Sequence, residues 1–243
     1  MNGGRAGSVP ELWVCRLGLI DYEPALELQE RVRAARQAGA IPDTMLLLEH
    51  PRVYTRGRRS ADGELSMGED WYRERGIDIV EVNRGGKITY HGPGQLVGYP
   101  IVAVDDVVEY VRTLERALID TLAQEDVAAR ARVEDGPDYT GVWVAERKIA
   151  SIGVHVARGA TTHGFAINVD NDLEPFSWVV ACGLDGVSMT SLAAEKPAGE
   201  ADGPLMQCFA KRAAFAVARA LGRRQRIVTP ARLEQALGTL APA

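Results

Sequence analysis

The densest concentration of chemically useful groups in the chain is the run Arg84-Gly85-Gly86-Lys87-Ile88-Thr89-Tyr90-His91-Gly92-Pro93-Gly94-Gln95. Glycine carries no Cβ, so backbone N–H groups there can approach a carbonyl or a phosphate that bulkier residues would hold off. The spacing is neither GxGxxG nor GxxxxGK[ST] and so specifies no nucleotide, and an irregular hairpin would use the same glycines. His91, His155 and His163 are each candidates for a general base; His91 gains weight from its glycine setting, while His155 and His163 read first as structural histidines. Cys182 follows the apolar run 178–181 and precedes Gly183. Free cysteine is among the most buried residue types, so its type and spacing alone point to burial, as they do at Cys15 and Cys208. Lys148 opens the run 148–156, where regular alternation gives it the parity of Ile152, Val154 and Val156. Its amine either sits in water at a strand end or is held in a dry pocket with a lowered pKa.

The elements that must position these groups alternate in type. Leu12 and Val14 begin a strand near Glu11, and residues 1–10, small and Gly-rich, read as a mobile tail. After Asp21, a helix-cap candidate, Ala25, Leu28, Val32 and Ala35 form one apolar stripe ending near Gly39. The run Met45–Leu48 reads as a buried strand. A basic loop with Arg56, Arg58 and Arg59 precedes a short helix over 69–75 and a strand over 77–82. Val111, Leu114, Leu118 and Leu122 mark the clearest helix, with its charged residues on the other face. The runs 148–157 and 162–169 form a hairpin. Residues 193–204 read as a flexible connection to a terminal helix striped by Leu205, Phe209, Ala213, Ala216 and Ala220. Strands and helices mix without strict βαβ order, so we expect an α/β (α+β) fold: one domain over 11–243 with a mixed sheet flanked by helices.

Composition narrows the class. The 243 residues are 46% hydrophobic and 25% charged, ordinary globular usage with enough chain for a real core. A net charge of −5 argues against broad attraction to nucleic acid backbones. Three scattered cysteines with no CxxC pair suit a reducing compartment, and they and four histidines show no zinc spacing. No stretch approaches the ~20 apolar residues that span a bilayer, and the N-terminus lacks signal-peptide character. We expect a cytoplasmic protein that needs no metal and contacts neither membrane nor nucleic acid.

Several segments together resemble the lipoyl(octanoyl) transferases, the lipoate-biosynthesis protein B family: LLLEHPRVYTRGRR at 46–59, RGGKITYHGPGQLVGYPIV at 84–102, KIASIGVHV at 148–156, THGFAINV at 162–169, and ACG at 181–183 with MTSL downstream. The resemblance runs from about Leu12 to Leu192, with Ala181 standing where the family usually has proline. It implies the fold of biotin and lipoate ligases and the transfer of an octanoyl group from acyl carrier protein to a lysine of lipoyl domains, those of 2-oxoacid dehydrogenase E2 subunits and of glycine cleavage H protein. It also implies no cofactor and a monomer. By the same resemblance Cys182 is the nucleophile and Lys148 activates it. Arg84 through His91 (Arg84, Gly85, Gly86, Lys87, Ile88, Thr89, Tyr90, His91), Ser151, Ile152 and Gly153, and Gly164, Phe165 and Ala166 bind substrate. The alternatives are an ATP-dependent lipoate or biotin ligase and a non-catalytic acyl-binding protein.

Overall fold

Four consecutive apolar residues, Met45 to Leu48, need cover on both faces, and strand β2 (Asp43–Glu49) has it. Met45 and Leu47 enter one apolar layer, Leu46 and Leu48 the other. Strand β1 (Glu11–Leu19) divides likewise, Leu12 and Val14 against Trp13 and Cys15. The computed structural model describes residues 9–61, 63–179, 187–197 and 205–238. Of the expected mobile tail, residues 1–8 lie outside these.

The central sheet has seven strands in the order β10-β1-β2-β6-β9-β8-β7. The remaining members are β6 (Gln95–Ile101), β7 (Gly141–Val144), β8 (Arg147–Ala157), β9 (Ala160–Asn168) and β10 (Arg224–Val228). β10, β1 and β2 run parallel and the rest pair antiparallel, so the sheet is mixed and flanked by helices, as expected. Helices α3 (Val107–Ala123) and α5 (Leu205–Ala220) cover one face through Leu114, Leu118, Phe209 and Val217. Helices α1 (Tyr22–Gln37) and α6 (Pro230–Gly238) cover the other through Leu28, Val32, Leu233 and Leu237. Among the described residues no helix is long and apolar enough to cross a membrane.

The structure departs from the sequence reading in several places. A second sheet of β4 (Asp78–Glu81), β3 (Val53–Arg56) and β5 (Thr89–His91) stands apart, packed through Tyr54, Tyr90, Ile88 and Phe176, with Tyr72 of α2 (Glu69–Arg73). Asp21 takes the N-cap position of α1 but its side chain makes no capping hydrogen bond; Asp106 does so at α3, accepting from Val108 and Glu109 N–H at 2.9 and 3.0 Å. Cys208 is exposed, because the buried stripe of α5 passes through its neighbour Phe209. The expected flexible connection begins with a short capped helix, α4 (Leu192–Glu195), and its residues 198–204 lie outside the described ones.

Candidate active site

The glycine-rich segment is stitched between the small sheet and the hairpin. Gly85 N–H donates to Val154 O of β8 at 3.0 Å, while Arg58 and Arg59 N–H donate to Arg84 O and Gly86 O at 3.0 and 3.1 Å. The buried guanidinium of Arg84 donates to Thr55 O and Oγ1 at 2.8 and 2.7 Å and to Gly85 O at 3.0 Å. A Cβ at Gly153 would lie 3.0 Å from Gly85 O and 3.1 Å from Arg84 Cδ, so this close approach depends on glycine.

Below the segment lies a buried layer of histidine and tyrosine. His50 Nδ1–H donates to Ile20 O at 2.7 Å, leaving Nε2 to accept from Tyr99 OH at 2.8 Å. His163 Nε2–H donates to Asn83 Oδ1 at 2.9 Å. Burial pushes His50 down to about 4 and His163 to about 3, and holds His91 well below the usual imidazole range. All three are neutral at pH 7 and too weakly basic for efficient general-base work there. His155 is half-buried and stands near the hairpin turn, opposite Thr162. The histidines therefore read as a structural layer.

A relay of side chains links this layer to Lys148. His91 Nδ1–H donates to Gln95 Oε1 at 2.7 Å, Gln95 Nε2–H to Asn168 Oδ1 at 2.9 Å, and Asn168 Nδ2–H to Thr190 O at 2.9 Å. Thr190 N–H donates to Lys148 O at 3.0 Å, and Lys148 N–H to Ser188 O at 2.9 Å. Of the two placements open to Lys148, the structure takes the buried one, at 2% exposure. Its Nζ lies 5.3 Å from the ring centre of Trp143. The β7–β8 register shifts between Val142 and Trp143, so strict alternation along β8 does not hold at its start.

These walls enclose a cavity of about 470 Å³. Among the residues singled out from the sequence, Arg84 to Thr89, His91, Lys148, Ser151 to Gly153 and Gly164 to Ala166 line it. Tyr90 does not; its ring packs beside Tyr54 and Phe176 instead. Cys182 lies outside the described residues. Among the described residues no cluster of three or more His, Cys, Asp or Glu side chains could hold a metal.

The family profile described as the lipoyl protein ligase A/B catalytic domain matches residues 21–209. The octanoyltransferase of Solibacter usitatus is 51% identical over 183 residues, 74% of this chain and 81% of that one. The chain belongs to the octanoyltransferase family. An octanoyltransferase of Mycobacterium tuberculosis is 46% identical over 201 residues, 80% of this chain and 82% of its own. Membership makes the chain an acyltransferase. A crystal structure of lipoate-protein ligase A bound with ATP shares the fold, with a TM-score of 0.74 at 18% identity, covering 93% of this chain and 92% of that one.

Residue pattern missed other members of the site. Glu115 is 1% exposed, although α3 reads as carrying its charges on the solvent face. Its position directly after Leu114, a residue of the apolar stripe, was the available signal. Tyr22 lines the cavity from α1, which no local motif announces, and Tyr99 lines it from β6, inside the 84–102 segment but beyond the stretch assigned to substrate.

Proposed function

We propose that this octanoyltransferase takes its acyl group from octanoyl-acyl carrier protein, carries it as a thioester on Cys182, and delivers it to a lysine of lipoyl domains, those of 2-oxoacid dehydrogenase E2 subunits and of glycine cleavage H protein. The observation that carries the reading is a lysine buried in the wall of a cavity of acyl-chain size. The main chain of Lys148 is bonded to Ser188 and Thr190, and Cys182 precedes Ser188 by six residues in the sequence.

An ordinary thiol with pKa about 8.5 is only a few per cent thiolate at neutral pH. An ammonium about 4 Å away, at an effective dielectric of about 20, favours the thiolate by roughly 4 kcal/mol before desolvation is subtracted. The Lys148 amine takes the Cys182 proton, and the resulting ion pair is the reactive state. The thiolate attacks the donor carbonyl, the carrier C–S bond breaks, and Lys148 returns the proton to the departing thiol. Backbone N–H groups stabilise the oxyanion. The acceptor amine then attacks the acyl-enzyme, Lys148 accepts its proton, and that proton restores the Cys182 thiol. Every proton moves between thiols and amines, so the chemistry calls for neither metal nor ATP and predicts ping-pong kinetics. On this reading the enzyme is a cytoplasmic monomer with one catalytic domain over 11–243. The basic loop receives the acidic carrier, with Arg58 exposed while Arg56 pairs with Glu69 and Glu81 and Arg59 with Asp138.

The test is intact-protein mass spectrometry after mixing with octanoyl-acyl carrier protein. A thiol-labile adduct is expected in the unmodified enzyme, in Cys15→Ser and in Cys208→Ser, and is lost in Cys182→Ser. Burial raises the Cys15 thiol to about 11, which suits its inert role. An adduct persisting in Cys182→Ser refutes the thioester; transfer only with ATP and free octanoate refutes the carrier-bound donor and indicates a ligase.

A further inference from the structure

Three residues outside the glycine-rich segment converge on Lys148. Gly141 opens β7 at φ +136°, and a Cβ there would sit 2.3 Å from the Ala150 carbonyl oxygen, 2.7 Å from Lys148 Cε and 3.4 Å from its Nζ. The lysine stem therefore crosses ground that any larger residue would occupy. Gly141 N–H donates to Glu115 Oε1 at 2.9 Å, and Glu115 Oε2 accepts from Arg112 Nη1 at 2.6 Å. A buried carboxylate is costly unless its oxygens are satisfied, and here each has a donor. Trp143, two residues along β7, presents its ring to the ammonium, while its Nε1–H donates to Tyr139 O at 2.9 Å. β7 is the last strand of the sheet, paired with β8 on one side and bridged on the other at Trp143, whose N–H donates to Arg130 O at 2.9 Å and whose O accepts from Arg130 N–H at 2.8 Å, so that Gly141 at its start is left to Glu115.

We propose that Glu115 is a positioning residue: by fixing the start of β7 it holds Gly141 and Trp143 as a seat for the Lys148 amine. This rests on the acyl-enzyme reading above. The seat explains a carboxylate on the buried side of α3. It anchors, through one backbone hydrogen bond, the strand whose small and flat residues shape the lysine's path. The charged groups around the seat are Arg112 from α3, Arg132 near the Trp143 ring, and Arg59, Arg84, Lys87 and Asp138 in the cavity lining, where His91 and His163 are neutral. Glu115→Gln keeps an acceptor for Gly141 N–H and removes the charge, whereas Glu115→Ala removes both.

The experiment measures the rate of octanoyl adduct formation on Cys182 and, separately, the pH profile of Cys182 alkylation by iodoacetamide, in enzyme whose fold is checked by circular dichroism. A lysine displaced by about 1 Å costs on the order of 10²-fold in rate. Glu115→Ala is expected to slow acylation by that order and to move the alkylation midpoint up toward the ordinary thiol value of about 8.5. Glu115→Gln is expected to stay close to the unmodified enzyme in both. Unchanged rate and profile in folded Glu115→Ala overturns the proposal, as does a loss in Glu115→Gln as deep as that in the alanine variant. If Glu115→Ala does not fold, Glu115→Asp takes its place: its shorter side chain withdraws the acceptor from Gly141 N–H while keeping the charge, the same slowing and the same upward midpoint are expected, and an unchanged rate and profile overturns the proposal. Absence of any adduct in the unmodified enzyme refutes the acyl-enzyme reading itself, and this inference with it.

Discussion

The buried histidine layer makes stability depend on pH in a way that can be calculated. Above pH 6.5 the imidazoles of His50, His91 and His163 are neutral in both folded and unfolded chains, and they contribute no pH dependence. Below it the unfolded chain binds protons that the folded chain refuses, because the folded groups lie at about 4 for His50, at about 3 for His163 and well below 6.5 for His91. Stability therefore falls as pH drops from 6.5, and keeps falling until the folded values are reached. At pH 5.5 His50 and His163 each cost about 1.4 kcal/mol relative to pH 7.5, together about 3 kcal/mol, and His91 adds to the loss in the same direction. That is a large part of a typical total of about 5–15 kcal/mol. Asp170 works in the opposite direction, since burial and Glu49 raise its carboxyl and the folded state gains its proton first. Urea titrations at pH 7.5 and 5.5 measure the difference, and His50→Gln should shed about 1.4 kcal/mol of the loss. Unfolding free energies that agree within about 1 kcal/mol at the two pH values would refute the argument.

Two further outcomes are accessible. Leu118 is fully buried between α3 and the sheet, so Leu118→Ala should cost about 2–5 kcal/mol in the pH 7.5 urea titration, and a smaller loss would mean the layer refills the space. Arg58→Glu should raise the KM for carrier-bound donor at low ionic strength and lose that effect at high salt; an unchanged KM and salt dependence would remove the basic loop from docking.

What the sequence made legible was the frame. The Met45–Leu48 run, the stripe from Val111 to Leu122 and the paired runs at 148–157 and 162–169 each carry a period strong enough to name their element. Of the small sheet only β4 was legible, in the strand over 77–82; its pairing into a separate sheet escaped because β3 and β5 have four and three residues, too few for alternation to register. The state of Lys148 stayed open because the local register shift hides its face, and tertiary packing against Gly141 and Trp143 decides it. Long motifs named the loops around the cavity, whereas Tyr22 reaches it, and Glu115 reaches Gly141 behind Lys148, from helices whose own patterns speak only of packing.

The last strand of the fold lies beside the first. β10 pairs in parallel with β1, matching Glu11 with Arg224, 213 residues apart, while α5 and α6 clamp that edge from opposite faces. During synthesis β1 can pair with β2 early, but its outer edge lacks this neighbour until β10 has emerged. The matched family region ends at residue 209, so this strand is supplied by residues beyond it. Once paired, β10 is the edge of the sheet and carries Arg224 and Arg226, where β1 would present the run from Leu12 to Cys15. A chain released before Arg224 keeps that apolar edge open, a template for strands of other chains however sound its catalytic residues.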